Sequence, residues 1–409
     1  MASEWKTELL GNLCLMKNGY AFKSKDFVSQ GVPVIKIKNV KPNRILVDDL
    51  SYVPADVAEQ RKKWLIEKGD ILLTMTGNRA DGSPESWVGK AAIFNEDTPY
   101  LLNQRVSALK AKDESVIDTN YLGYYLSSWQ TQLYFIKRAN SSGGQANISP
   151  EIVMNMPVHY PPLITQKRIV SILTTIDQKI KTNAAINDNL QQQAQSFFES
   201  WFMDYTLWEG KQPDDWVCAS LGDFVEIKRG GSPRPIQDYL SDTGLRWLKI
   251  SDVTSLNGPF VSDIKEHIKE SGLRKTVLLG SGALVLSNSA TPGIPKILDV
   301  DSCVHDGWLY FPKSQFSKYY LYLFFKHIRK QLVALGNGSV FTNLKTDILK
   351  QFPAVMPTGS VLDDFDAVVQ PLFEGMLNAD RQNRRLISIR DALLPRLMSG
   401  ELDVTDIEI

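Results

Sequence analysis

Residues 164–198 read ITQKRIVSILTTIDQKIKTNAAINDNLQQQAQSFF, and 196 positions further on residues 360–394 read SVLDDFDAVVQPLFEGMLNADRQNRRLISIRDALL. Laid over each other at that offset, the apolar positions coincide. Ile169 falls on Phe365, Leu173 on Val369, Ile176 on Leu372, Ile180 on Met376 and Leu190 on Leu386, while Asn187 falls on Asn383. Along both stretches these residues recur at alternating steps of four and three, which is the a/d seam of a coiled coil. The first seam continues through Asn183, Ala194 and Phe197, and the second through Ala379, Arg390 and Leu393. Two amphipathic helices, each lying on its own domain, are the alternative. Heptads in both copies favour helices that pack on each other, and a head-to-tail repeat with short connections makes the pair antiparallel. About 30 residues at 1.5 Å each give a rod of about 45 Å. That is longer than one turn of B-DNA, about 34 Å. A polar seam residue lowers stability but fixes register, because a misaligned amide is left unsatisfied. Asn187 and Asn383 are therefore expected symmetrically about the centre of the rod, and leucine at both places is expected to keep or raise stability.

The repeat reaches upstream of the helices. Ile148 answers Leu344, Ile152 answers Ile348, Pro157 answers Pro353 and Pro161 answers Pro357. With small shifts, Leu10-Gly11 answers Leu221-Gly222, Ile35-Lys36-Ile37 answers Leu248-Lys249-Ile250, and GDILLT from Gly69 answers GALVLS from Gly282. A period near 200 residues is far too long for a solenoid, whose repeats run about 20 to 50 residues. One domain-plus-helix unit is thus present twice, which suits a target that itself has two parts. The expected boundaries are a first domain over 1–160, a spacer helix in 161–210, a second domain over 211–358 and a second spacer helix in 359–409. The domains read as mixed α/β (α+β). Short β-branched runs bounded by Gly, Pro and Asn predict strands at Val32–Val40, Asp70–Thr74 and Ala92–Phe94, with counterparts at Leu245–Val253, Ala283–Ser287 and Lys296–Leu298. Aromatic-rich helices are predicted at Tyr121–Phe135 and Tyr319–Ile328, each followed by a glycine-rich loop, 140–147 and 336–343. Pro161-Pro162 gives the first long helix a stiff start.

The 409-residue chain is 43% hydrophobic, enough for ordinary cores, and its formal net charge is zero. No run approaches the roughly 18 apolar residues of a membrane span, and MASEWKTELL lacks a signal-peptide layout. Cys14, Cys218 and Cys303 are scattered, as reduced thiols of a cytoplasmic protein are. Zero net charge argues superficially against a nucleic-acid binder, but the charge is unevenly spread. Residues 1–160 and 216–360 together carry +7, and the helical segments 161–215 and 361–409 together carry −7. Catalytic signatures are missing: there is no phosphate loop, and His159, His267, His305 and His327 neither cluster nor show metal-ligand spacing. His159-Tyr160-Pro161-Pro162 is faintly similar to the [DN]PP[YF] pocket of amino-methyltransferases, without its carboxylate or amide. No catalytic residue, metal site or cofactor is read.

On these residues the chain resembles the specificity subunit of Type I restriction–modification enzymes. YPPLITQKRIVSILTTIDQKI from Tyr160, AQSFFESWFMDY from Ala194 and IRDALLPRLMSGELDV from Ile389 resemble that family's central and C-terminal helical regions. LGNLCLMKNGYAF from Leu10 and LGDFVEIKRGGSPRP from Leu221 resemble the openings of its target-recognition domains. A departure is SVLDDFDAVV from Ser360, acidic where the family has a Gln-Arg pair. The resemblance implies two target-recognition domains, each reading half of an interrupted double-stranded DNA sequence, and antiparallel helices that set the spacing and dock two modification (methyltransferase) subunits. Those partners would use S-adenosylmethionine, and motor-nuclease subunits would use ATP and Mg²⁺; this chain would be non-catalytic. Two rivals stay open: the specificity subunit of a bifunctional system in which one partner both cuts and methylates, and a helical scaffold that does not touch DNA.

Bases are read by side chains reaching the major groove from loops, while Lys and Arg hold phosphates. In the first domain the candidate readers are Lys36, Lys38, Asn39, Asn78, Arg79, Asn103, Gln104, Arg105, Gln145 and Asn147. In the second they are Lys228, Arg229, Arg234, Lys249, Ser251, Arg274, Lys275, Asn288, Ser289, Asn337, Thr342 and Asn343. Tyr20, Phe22, Trp87 and Trp308 are candidates to stack on DNA, with core packing as the competing role.

Overall fold

The computed structural model describes residues 5–78, 86–142, 145–254, 256–336 and 344–404. It divides into two compact units, one formed by Met1–Ile180 with Arg385–Ile409 and the other by Lys181–Arg384. The division cuts both long helices, Leu163–Phe202 and Val361–Met398. Each unit is therefore one domain together with part of each helix.

In the first unit, strand Lys6–Leu9 pairs antiparallel with Pro157–Tyr160, directly before the first long helix. This pairing brings the two ends of the domain together, and the Leu10 amide bonds the Met156 carbonyl at 2.8 Å to complete it. Between them lie two four-stranded sheets. One runs, in spatial order, Ala91–Ile93, Ile71–Thr74, Val106–Ala111, Cys14–Asn18. The other runs Ser51–Val53, Val32–Ile35, Tyr100–Leu102, Leu65–Ile66, with Val32–Ile35 and Tyr100–Leu102 parallel.

The second unit repeats this plan. Val217–Ser220 pairs with Pro353–Met356, and the Leu221 amide bonds the Phe352 carbonyl at 2.8 Å. One sheet contains Val225–Arg229, Trp308–Ser314, Leu284–Ser287 and Pro295–Leu298 in that order, and Phe260–Val261 extends its edge. In the other sheet, Leu245–Leu248 and Ser302–Val304 form the parallel pair. The fold is mixed α/β, two copies of one domain joined by long helices.

The structure departs from the periodicity reading at several places. Val32–Val40 and Leu245–Val253 are not single strands: each breaks at a 3₁₀ turn, Ile37–Asn39 and Ile250–Asp252. The reason is local, since Asn39 and Asp252 accept the backbone N–H of Lys36 and Lys249, both at 2.9 Å, and curl the chain. The aromatic segment 121–135 is two helices, Thr119–Ser127 and Trp129–Arg138, because Ser128 takes an extended conformation and caps the second through Thr131. In addition, Phe197 is exposed and Phe198 buried. Near its end the first long helix buries Ala194, Phe198 and Phe202, at steps of four, because it meets a domain as well as its partner helix.

Within each unit the helices share the domain's core. Ile169 and Leu173 join Leu394, Leu397 and Met398 beneath Tyr121 and Phe135 in the first unit. In the second, Phe198 and Phe202 join Phe365, Val369, Phe373 and Met376 beneath Tyr320. Ile176, Ile180, Leu190, Leu372, Asn383 and Leu386 are half-buried. In the second unit, Asn183 donates to Asn383 at 2.9 Å and to Gln382 at 2.7 Å, and Asn187 donates to Asp380 at 2.6 Å. As positions rise on one helix they fall on the other, so the pair is antiparallel. Asn187 and Asn383 each bond a different residue.

Asp380 gives the amide N–H of Asn187 a charged partner, while Asn187 Oδ1 is buried with no partner among the described residues. Burial raises the Asp380 carboxyl above its usual range, against the pull of Arg384, Asn187 and Lys296. Asn187→Leu removes a donor from a half-buried carboxylate and is expected to destabilise by about 1–3 kcal/mol. An unchanged or raised melting temperature would contradict that. Phe198→Ala should cost about 3–5 kcal/mol and Phe197→Ala less than about 0.5 kcal/mol, so equal losses in denaturant titration would show that the buried face is misassigned.

Candidate nucleic-acid interface

Each domain builds the same ridge of loops at the end of its parallel strand pair. One strand leads into Lys36 or Lys249 and the capped 3₁₀ turn; the other leads into Asn103 or His305. A glycine presses against the second position. The Gly19 amide bonds the Val106 carbonyl at 3.1 Å and the Gly230 amide bonds that of Trp308 at 2.9 Å. A Cβ on either would collide with the carbonyl of Asn103 or His305. Glycine is needed for that approach.

In the first domain, Gln104 and Arg105 are exposed in the turn between Tyr100–Leu102 and Val106–Ala111, beside half-buried Asn103. Lys36 Nζ lies 3.5 Å from the Phe27 ring centroid, and burial, with Lys38 nearby, lowers its pKa. Lys38 pairs with Asp49 at 2.5 Å. Asn39 is 1% exposed and its amide donates to the Leu46 and Asp49 carbonyls, so it holds the loop together from within. Asn78 donates to Ser86 Oγ at 3.2 Å, Asn147 Oδ1 accepts from the Thr76 hydroxyl at 2.9 Å, and Gln145 is exposed. Arg79, Asn337, Thr342 and Asn343 lie outside the described residues.

In the second domain Lys228 pairs with Glu226 at 2.9 Å, and Lys249 with Glu266 at 2.5 Å. Asp306 gathers two arginines: its carbonyl accepts from Arg229 Nε at 2.5 Å and its carboxylate from Arg234 at 3.4 Å. Burial works against that charge, yet the Ser232 hydroxyl, His305, Arg229 and Arg234 hold the Asp306 carboxyl below its usual range. Arg274 and Lys275 are exposed on the 3₁₀ turn Glu270–Lys275, where Lys275 Nζ donates to the Arg234 carbonyl at 3.3 Å. Asn288 is 4% exposed, with a buried Oδ1 that has no partner among the described residues. Four candidates, Arg234, Lys249, Ser251 and Ser289, converge with His305 on one concavity of about 790 Å³.

The aromatic candidates sit mainly in packing roles. Trp308 is fully buried and donates to the Leu248 carbonyl at 3.2 Å. Tyr20 packs 4.6 Å from Trp64, Phe22 is buried, and Trp87 lies 5.4 Å from Trp129.

Sequence reasoning passed over Arg61-Lys62-Lys63. This triplet spans the start of the 3₁₀ turn that leads into Leu65–Ile66, as the turn with Arg274-Lys275 leads into Val277–Leu279. Arg61 lies over the Tyr20 ring at 4.7 Å and Lys63 over Trp64 at 4.3 Å. Three consecutive basic residues were the available signal. Among the described residues no group of three or more His, Cys, Asp or Glu could hold a metal ion, and no helix is long and apolar enough to cross a membrane.

Two copies of one cation-bearing loop ridge, each in a domain that shares its core with parts of both long helices, define a duplicated recognition protein. Residues 2–192 and 213–358 match the family described as the Type I restriction modification DNA specificity domain, so the chain belongs to that family and carries two such regions. The MjaIX specificity subunit of Methanocaldococcus jannaschii, a Type I restriction enzyme, is 24% identical over 84% of this chain and 80% of its own length. The HindI specificity subunit of Haemophilus influenzae is 24% identical, over 98% of this chain and all of its own. The crystal structure of a Type I restriction–modification S subunit from M. genitalium shares the fold, with TM-score 0.58, 14% identity, and coverage of 97% and 96% of the two chains. The protein is a DNA specificity subunit of the Type I class.

Phosphate contacts make affinity fall with salt, with a log–log slope of about 0.9 per contact. Replacing Arg61, Lys62 and Lys63 by Gln is expected to weaken duplex binding at every sequence and to flatten that slope by about 2 to 3 units. Fluorescence anisotropy across a salt series measures it, and an unaltered slope would remove the triplet from the interface.

Proposed function

We propose that each domain reads one half of a bipartite duplex sequence through its loop ridge, and that the paired helices set the distance between half-sites and dock two modification subunits. Methyl transfer from S-adenosylmethionine, and ATP- and Mg²⁺-dependent cleavage, belong to those partners in the cytoplasm; this chain binds no cofactor and supplies specificity and assembly. The observation that carries the reading is the duplicated ridge, which has the same strands, 3₁₀ cap and glycine contact in both domains but different side chains at matching places.

Physical chemistry supports the assignment of roles. Arg105 and Arg234 carry the planar fork that suits guanine O6 and N7, and Gln104 and Asn103 carry amides that suit adenine. The positive excess lies on the domains and the negative excess on the helical segments, so DNA is attracted to the readers and repelled from the rod. A 40-residue helix at 1.5 Å per residue is about 60 Å long, enough for a spacer of more than one DNA turn.

Exchange of residues 1–160 for the matching domain of a relative tests the reading. Methylome sequencing of a host expressing the complex should show one altered half-site, with the other half-site and the spacer retained. Native mass spectrometry should give one copy of this chain with two modification subunits. Simultaneous change of both half-sites would defeat the two-reader proposal.

A further inference from the structure

His305 occupies, in the second domain, the place that Asn103 occupies in the first: one residue beyond the parallel strand, held by the glycine contact. Its Nδ1 accepts a hydrogen bond from the Gly307 backbone N–H at 2.6 Å. A backbone N–H can only donate, so Nδ1 holds the lone pair and the ring proton sits on Nε2. Burial lowers the imidazole pKa, with Asp306 opposing and Lys249 and Arg229 acting in the same direction as burial. The ring is fixed as a single N–H donor.

That donor is unused. Nε2 has no hydrogen-bond partner among the described residues, and it is not among the buried unsatisfied atoms, although the side chain is only 18% exposed. His305 lines the concavity shared with Arg234, Lys249, Ser251 and Ser289, the surface onto which an accessible Nε2–H would open. A Cβ on Gly307 would strike both the His305 ring and Ser289 Oγ, so glycine there keeps the ring and the hydroxyl side by side. Arg and Lys offer donors and no acceptor, and the serines offer either. Among the bases, guanine shows two adjacent acceptors, O6 and N7, in the major groove, whereas thymine shows one acceptor beside its methyl group, cytosine a donor and adenine one of each. A wall rich in donors matches guanine best and cytosine least.

We propose that His305 is a specificity-determining residue of the second domain, and that its Nε2–H reads a guanine of that domain's half-site from the wall of this concavity. The proposal rests on the reading of the chain as a base reader with two recognition domains. Its test uses the full chain with any modification subunit that co-purifies. Bound duplexes are selected from a random pool by the wild type, by His305→Ala and by His305→Asn, the side chain found at the equivalent place in the first domain. The wild type is expected to require a guanine in the second half-site. Replacing that base with 7-deazaguanine, which lacks the N7 acceptor, should weaken binding by about tenfold. Both variants should relax that position and lose the sensitivity to 7-deazaguanine, with the first half-site unchanged. A second half-site without guanine, or variants that keep the same guanine and the same 7-deazaguanine penalty, overturns the proposal. Absence of any selected sequence from the wild type overturns the two-reader reading itself, and is told apart because the first half-site is then missing too. If His305→Ala melts early, the His305→Asn variant decides the outcome.

Discussion

Neither domain closes its core by itself. In the first unit, Tyr121, Leu122 and Phe135 are covered by Ile169 and Leu173 from the first long helix and by Leu394, Leu397, Met398 and Val404 from the end of the second. Each such side chain contributes about 1.5–3 kcal/mol when fully buried, which is comparable to a large part of a domain's net stability. The domain that begins at the N-terminus is thus completed by residues almost 400 positions away. The second unit imposes the same demand over a shorter span, with Phe198 and Phe202 meeting Phe365 and Tyr320. Both helices must be antiparallel and in one register for either domain to exclude water from its inner face. Contacts this distant in sequence favour slow folding.

Hydrophobic burial alone would tolerate a helix pair slipped by a turn, because Leu, Ile and Phe substitute for one another with little penalty. The polar contacts between the helices remove that freedom. In the first unit Asp177 accepts from Tyr124 at 2.7 Å and from Arg390 at 3.0 Å, so the helix pair and the domain meet at one carboxylate. At the repeat-related places the second unit has Phe373 and Ala194, both buried. A pair slipped by one turn would part Arg390, whose side chain is 13% exposed, from Asp177 and leave a largely buried guanidinium with only its neighbour Asp391, and losing one partner of a buried ion pair is destabilising. In the second unit Arg381 and Arg384 both hold Asp299, whose side chain is 4% exposed, and tie the second long helix to the domain. Divergence between the two copies therefore carries structural information that the repeat itself does not.

The duplication, the helical seams and the two-domain plan were legible because each leaves a periodic trace, and a trace seen twice is hard to produce by chance. What escaped is aperiodic. One side-chain acceptor, Asn39 or Asp252, ends a strand that a β-branched run would have extended, and Ser128 divides a helix whose aromatic pattern runs straight through. The choice between Phe197 and Phe198 depends on how many neighbours surround the helix, and a seam counted against one partner places it one residue too early. Among candidate readers, composition could not separate an amide turned inward from one facing out. Asn39 and Asn288 are buried, whereas Gln104, Arg105 and Arg274 are exposed. Arg61-Lys62-Lys63 was overlooked for a related reason: its importance lies in where the following strand puts it, beside a ridge whose other members come from distant segments.

A duplicated scaffold reads two different sequences only if the backbone is held constant while side chains vary on it. Here the constant parts are the glycines at 19 and 230, where a Cβ would collide, and a side-chain oxygen that accepts the same backbone N–H, from Asn39 in one copy and Asp252 in the other. The variable parts sit one or two residues away. Asn103 and Gln104 in the first domain answer to His305 and Asp306 in the second, replacing two amides by a fixed donor and a carboxylate that anchors Arg234. An amide offers a donor and an acceptor together, the pattern that pairs with adenine, and on the proposed reading a surface rich in donors would answer guanine. On the proposed reading, different half-sites would follow from that exchange, because the hydrogen bonds that shape the ridge, at Gly19 and Gly230 and at Asn39 and Asp252, do not use these side chains.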